Sequence, residues 1–271
     1  MQTLIPALVA TAILSTAAFA ETAVERGRYL VEGPAACGNC HSPKGPDAPP
    51  LAGFLIREYN FSTYAHNITP GSRIAGWTDE ELARAIREGV RPDGTIIGPP
   101  MPIHLYRGLS DDDLAAIVAY LRTVPAIEAE HVDNKYPFPL TASYGPPVEA
   151  VAAPSADDPV AYGAYLAGPV AHCVECHSFI DSRPDLENNL GGGGGHYWEG
   201  PWGRSVPANI TNGPEGIADY TDDEIATMIS QGVRPDGSKM LPPMPYDYYA
   251  NLGEGDLAAI VAYLRTLPAL P

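Results

Sequence analysis

The chain repeats itself, and the repeat limits the fold more than any other feature. "DLAAIVAYLRTVPA" (113–126) returns as "DLAAIVAYLRTLPA" (256–269), and "IREGVRPDG" (86–94) as "ISQGVRPDG" (229–237), both offset by 143 residues. "CGNCH" (37–41) and "CVECH" (173–177) are offset by 136, so the later copy has gained seven residues in between. The run "GGGGG" at 191–195 falls in that interval and reads as a loop extension. Self-similarity on this scale means one module used twice, and 271 residues leave room for two domains of ordinary size. The expected division is a leader (1–20), a first domain (21–135), a Pro/Ala-rich linker (136–157) and a second domain (158–271).

Each copy has the same order: a short helix, C-x-x-C-H, a polar loop, a helix, a Pro-rich turn and a closing helix. Thr78 with Glu81, and Thr221 with Glu224, fit a capping box in which Thr and Glu satisfy each other's backbone N–H groups. Gly89 and Gly232 stand where a left-handed cap ends those helices. Leu114, Ile117, Tyr120, Leu121 and Val124 fall at helical spacing, and Leu257, Ile260, Tyr263, Leu264 and Leu267 repeat that apolar face. No alternating strand pattern stands out, so the expected fold class is all-α.

Sixteen basic residues against 33 acidic ones give a net charge of −17. Such a surface repels phosphate backbones and anionic membranes and favours a partner with a basic face. Residues 1–20, "MQTLIPALVATAILSTAAFA", read as an export signal: an apolar core ends in Ala18-Phe19-Ala20, an A-x-A-type cleavage site, although no Lys or Arg precedes it. The competing reading is an uncleaved anchor, since the apolar run approaches spanning length. The small-residue exit favours cleavage and a soluble, periplasmic product.

All four cysteines lie in the two C-x-x-C-H motifs. A disulfide framework gives no reason for a histidine after each pair, and a dithiol oxidoreductase calls for an α/β surrounding. A zinc site within one copy needs more ligands: His66 and His104 are matched by Ala208 and Asp247. Covalent haem accounts for every residue. Each thiol adds across a vinyl group of one porphyrin to form a thioether, and the following histidine becomes an axial iron ligand. The assignment is two haem c groups, on Cys37 and Cys40 with His41, and on Cys173 and Cys176 with His177.

A second axial ligand comes from "GPPMPIHLY" (98–106) and "LPPMPYDYY" (241–249), which place Met101 and Met244 at matched positions between prolines that stiffen the loop. Met240 faces Ile97 in the first copy and reads as packing. His66, His104, His172 and His196 lack partners in the other copy and read as loop or exposed histidines, His196 being the alternative ligand to watch. "NIT" (67–69 and 209–211) reads as a loop placing Asn67 and Asn209 against haem propionates, with a plain turn as the alternative. Its other reading, a glycosylation sequon, has little weight beside bacterial-looking motifs.

With these residues in place, the chain resembles a diheme cytochrome c. Gly27/Tyr29 and Gly163/Tyr165 on the first helices, C-x-x-C-H, a Met in a Pro-rich loop and an aromatic-bearing last helix make each half similar to a class I cytochrome c domain. "NIT", "GVRPDG" and "PPMP" are similar to segments in cytochrome subunits of bacterial membrane-associated dehydrogenases, which commonly carry a third haem and a membrane-binding tail that this chain lacks. The resemblance implies an all-α tandem duplication whose first and last helices cross at the glycine. It also implies a periplasmic relay of single electrons from a dehydrogenase to a downstream cytochrome or oxidase, with no catalysis of its own. The rival is an enzyme similar to the diheme cytochrome c peroxidases, which need one haem with a coordination site that can open. A methionine loop in both halves counts against it.

Overall fold

The computed structural model describes residues 21–58, 61–129 and 131–271, and the expected leader at 1–20 lies outside them. The first half contains α1 (Ala23–Glu32), α2 (Cys37–His41), the hairpin β1–β2 (Phe54–Arg57, Ser62–Ala65), a 3₁₀ turn at Arg73–Gly76, α3 (Asp79–Glu88), α4 (Ile103–Tyr106) and α5 (Asp111–Thr123). The second half contains α6 (Pro159–Tyr165), a π turn at Leu166–Val170, and α7 (Cys173–Cys176). Two small hairpins follow, β3–β4 (Phe179–Ile180, Arg183–Pro184) and β5–β6 (Trp198–Gly200, Gly203–Ser205). It closes with α8 (Asp222–Gln231), α9 (Tyr246–Tyr249) and α10 (Glu254–Leu264). The fold class is all-α, as expected.

Both expected capping boxes form, at Thr78/Glu81 and Thr221/Glu224, and Gly89 and Gly232 close those helices at φ 69° and 64°. A third box, Thr22/Glu25, opens α1. The hairpins depart from the expected polar loops. β1 pairs antiparallel with β2, Phe54 opposite Ala65 and Arg57 opposite Ser62. These strands are four residues at most, too short for alternation to rise above the surrounding loop.

α1 crosses α5, and α6 crosses α10, at the first-helix glycines. A Cβ on Gly27 would collide with the Ala116 carbonyl and stand 2.7 Å from the Tyr120 Cβ, and one on Gly163 would collide with the Ala259 carbonyl and stand 2.9 Å from the Tyr263 Cβ. Only glycine lets the backbones come this close. Leu114, Ile117, Tyr120 and Leu121 are buried as their spacing requires, as are Ile260, Leu264 and Leu267. Arg122 fastens α5 to the Ile74 and Trp77 carbonyls and to Asp79, and Arg265 fastens α10 likewise to Ile217, Tyr220 and Asp222.

The halves pack on each other through reciprocal contacts. The Tyr29 hydroxyl donates to Asp256 at 2.6 Å and receives the Gly253 N–H, while the Tyr165 hydroxyl donates to Asp113 at 2.6 Å and receives the Ser110 N–H. Each half's first-helix tyrosine thus reaches the start of the other half's last helix. Asp113, only 5% exposed, also receives Arg26 at 2.8 Å, so its charge is paired where it is buried.

The Pro-rich segment after the first half is not a loose tether. Tyr136 donates to Pro99 O at 2.9 Å and Tyr144 to Ile97 O at 2.8 Å. Val148 N–H reaches Glu88 at 2.8 Å, and Val151 O accepts from Asp111 N–H at 2.9 Å.

Candidate functional site

The two C-x-x-C-H motifs form single helical turns, α2 and α7, each entered through a left-handed residue: Ala36 at φ 45° and His172 at φ 42°. In a helix, positions i and i+3 share a face. Cys37 and Cys40 therefore point the same way, as do Cys173 and Cys176. All four are free thiols. Burial pushes the Cys37 thiol up to about 12 and those of Cys40 and Cys173 up to about 11, and Cys176 also goes well up. A reactive dithiol needs a depressed pKa, so these sites are unlike a thiol–disulfide exchange centre.

His41 Nδ1 lies 2.7 Å from the His66 carbonyl and His177 Nδ1 lies 2.6 Å from that of Ala208. A carbonyl only accepts, so Nδ1 carries the proton and each Nε2 keeps its lone pair. Burial, only partly offset by these bonds, lowers both pKa values and favours the neutral imidazole a metal requires.

The acceptor loops are held by matched contacts. Gly53 N–H donates to His41 O at 2.7 Å and Gly193 N–H to His177 O at 2.8 Å. Gly53 (φ 96°) would place a Cβ 2.9 Å from Asn67 N, and Gly193 (φ 67°) would place one on Ala208 and Asn209. Both positions need left-handed backbone and close approach together. Ser42 Oγ accepts the Leu51 N–H and Ser178 Oγ the Gly191 N–H, both at 2.9 Å.

Met101 and Met244 are half-buried in the loops before α4 and α9. Met101 packs against the large core cluster that both Cys37 and Cys173 also touch, and Met244, with Cys173, against the small cluster of Ala36, Ala171 and Tyr249. Tyr136 and Tyr144 brace the first of these loops at Pro99 and Ile97, and Ser205 Oγ braces the second by donating to Pro242 O at 2.5 Å.

Asn67 and Asn209, the expected propionate contacts, hydrogen-bond the backbone. Asn67 donates from Nδ2 to Ile127 O at 2.5 Å and accepts the Thr69 N–H at 2.8 Å. Asn209 donates to Leu270 O and Pro271 O at 3.0 and 3.2 Å and accepts the Thr211 N–H at 2.8 Å. Each is spent clamping its NIT loop to the chain beyond the last helix.

The remaining histidines are not plain loop residues. His66 supplies the carbonyl for His41. His104 Nε2 and His172 Nδ1 approach the Glu175 carboxylate, at 3.8 and 3.7 Å, between the two motifs. Burial there pushes the Glu175 carboxyl up to about 8, with Glu58 adding to it, and holds His172 down at about 4, with His104 adding to it. His196 stacks on Phe179 at 4.8 Å and meets the edge of Trp198 at 4.6 Å. Gly53 and Gly193 were missed because the insertion hides their correspondence, and Ser42 and Ser178, which follow the two motifs at the same offset, because a serine offers no ligand chemistry.

The donor set of each motif is two protonated thiols on one helical face and an imidazole whose Nε2 is free by virtue of its pinned Nδ1. That chemistry fits covalent haem: thiols for two vinyl groups, imidazole nitrogen for iron. Residues 24–125 match the family described as Cytochrome c. It is 31% identical to the fructose dehydrogenase cytochrome subunit of Gluconobacter japonicus, over 91% of this chain and 53% of that protein. It is 30% identical to the cytochrome c subunit of a quinone-dependent alcohol dehydrogenase of Gluconobacter oxydans, over 93% of this chain and 56% of that one. A diheme cytochrome c-type protein of Cereibacter sphaeroides is 29% identical, over 86% and 82%. The chain thus spans little more than half the length of the two dehydrogenase subunits.

Proposed function

We propose that the chain is a periplasmic diheme cytochrome c that relays single electrons from a dehydrogenase to a downstream cytochrome or oxidase. The observation that carries it is the pinned Nδ1 of both His41 and His177, each at the end of a C-x-x-C turn whose two thiols share a face. When bound, haem supplies a one-electron iron couple. Cys37/Cys40 and Cys173/Cys176 are the attachment residues, and His41/Met101 and His177/Met244 the axial pairs. The pinned imidazoles hold ring orientation, and the proline-flanked, braced loops hold the thioethers, so neither pair has to move when an electron arrives. Filled axial positions leave no place for a substrate, which supports relay over peroxide chemistry.

In this reading 21–135 and 158–271 are two class I domains joined by 136–157, and 1–20 is an export signal removed in the periplasm. Among the described residues no helix is long and apolar enough to cross a membrane. The relatives' names favour a dehydrogenase as donor, and the net charge of −17 favours a basic docking face on at least one partner.

The test is the pyridine haemochrome and visible spectrum of the exported protein. Two covalent haems per chain, with the far-red ferric methionine band at two-haem intensity, are expected. A single haem overturns the reading. Two haems with half that band mean one iron is differently ligated, and peroxide turnover is then measured.

A further inference from the structure

One residue of the second half belongs, by contact, to the first site. Tyr248 lies in α9, four residues beyond Met244, and packs with Met244 in a cluster that also contains Ala36, the residue preceding Cys37. Its hydroxyl lies over Gly38, inside the first C-x-x-C-H turn: a Cβ there would collide with it and stand 2.9 Å from Ser42 Oγ. The Tyr248 hydroxyl and Ser42 Oγ thus flank the same point on Gly38, and the hydroxyl lies near Cys37 and Cys40. Ser42 in turn accepts the N–H of Leu51, a residue at φ 60°, and that loop continues to Gly53, whose N–H holds the His41 carbonyl.

The contact runs one way. The residue matched to Tyr248 in the first half is Leu105, which has no hydroxyl, and the second turn carries Val174 where the first has Gly38. The two sites, alike in their own residues, therefore differ in what the opposite half lays against them.

We propose that Tyr248 is a positioning residue for the first redox site, supplied by the second half: through Ser42 it fixes the 51–53 loop behind His41. The proposal rests on the two-haem reading. It makes the His41 environment depend on the same loop that carries Met244, so the sites are neither equivalent nor independent. A packed core changes between discrete arrangements rather than deforming smoothly. Loosening this bridge is therefore read at the first site, although the altered residue sits in the second half.

The experiment is a spectropotentiometric titration of the holoprotein. Met101→His replaces a thioether by an imidazole at the first site and identifies its wave by moving it down. Tyr248→Phe keeps the ring and removes only the hydroxyl. It is expected to move the first wave and leave the second in place. Ser42→Ala is expected to move the same wave in the same direction. The double variant is expected to move it no further than Ser42→Ala alone, because that change removes the Tyr248 contact together with the Leu51 bond. No shift, a shift in the second wave or additive shifts overturn the proposal. If Tyr248→Phe fails to assemble, Tyr248→Leu, which installs the residue found at the matched position of the first half, takes its place: a shift confined to the first wave supports the proposal, any other result overturns it. A wild-type haem count below two overturns the two-haem reading instead, which the pyridine haemochrome reports separately.

Discussion

Single residues set the crossing of first and last helix in each half. Gly27 and Gly163 allow α1 and α6 to lie against the backbone of α5 and α10, where a Cβ would overlap the Ala116 and Ala259 carbonyls. The obstacle is backbone and not a flexible side chain, so Gly27→Ala must move one helix. Overpacking of this kind costs about 1–3 kcal/mol. Thermal melts of Gly27→Ala and Gly163→Ala are expected to show comparable losses, and a Tm within a degree or so of wild type for either would contradict the crossing geometry. Both glycines were legible in the sequence because the repeat displays them twice at one offset. Gly53 was not legible: its counterpart, Gly193, lies within the stretch that has gained residues, in a run of five glycines where no single one stands out.

At the scale of elements, the NIT loops fasten the chain after the last helix to the segment that carries the histidine acceptors. Asn67 sits beside His66, whose carbonyl receives His41 Nδ1, and Thr69 Oγ1 both receives the Ile127 N–H at 3.0 Å and donates to its carbonyl at 3.2 Å. Asn67 and Thr69 are 6% and 1% exposed, so removing the amide strands buried backbone groups. Asn67→Ala is expected to cost about 1–3 kcal/mol, the desolvation penalty of an unmade buried hydrogen bond, and Asn209→Ala a similar amount. Denaturant unfolding of the holoprotein measures both, and a change below about 0.5 kcal/mol, the range of ordinary surface substitutions, would show the clamps to be idle. The sequence showed NIT to be special by repeating it. What it touches depends on where residues some sixty positions later return, which no local pattern carries.

For the whole molecule, the contact between halves sets the response to acid. His172 lies at that contact, facing Glu175 of its own half and His104 of the other, and burial holds its pKa at about 4 against an ordinary 6.5. Its folded form resists protonation, so the unfolded chain binds more protons between these values. The stability this contributes is complete above pH 6.5 and is lost as pH falls toward about 4. Glu175 works in the opposite sense, because its carboxyl, pushed up to about 8 from 4.5, is protonated in the fold and ionised in the unfolded chain between those values. Its share of stability rises as pH falls, and the histidine variant isolates the His172 share. His172→Asn keeps a residue that tolerates the left-handed backbone at φ 42°. Its Tm is expected to fall less steeply than the wild type's between pH 6.5 and 4, and parallel curves would show that His172 titrates normally.

The sequence by itself determined the elements and the chemistry of each copy. Capping boxes, glycine caps, apolar helix faces and C-x-x-C-H are local signals, and their recurrence at fixed offsets separates them from chance. Tertiary structure alone decided how the copies meet. The reciprocal Tyr29–Asp256 and Tyr165–Asp113 bonds, the strap that braces the Met101 loop and the reach of Tyr248 to Ser42 join residues far apart in the chain. Such contacts arise from the shapes of two finished surfaces. Tyr, Asp and Ser are ordinary surface residues until a partner buries them, so their roles enter only with the packing.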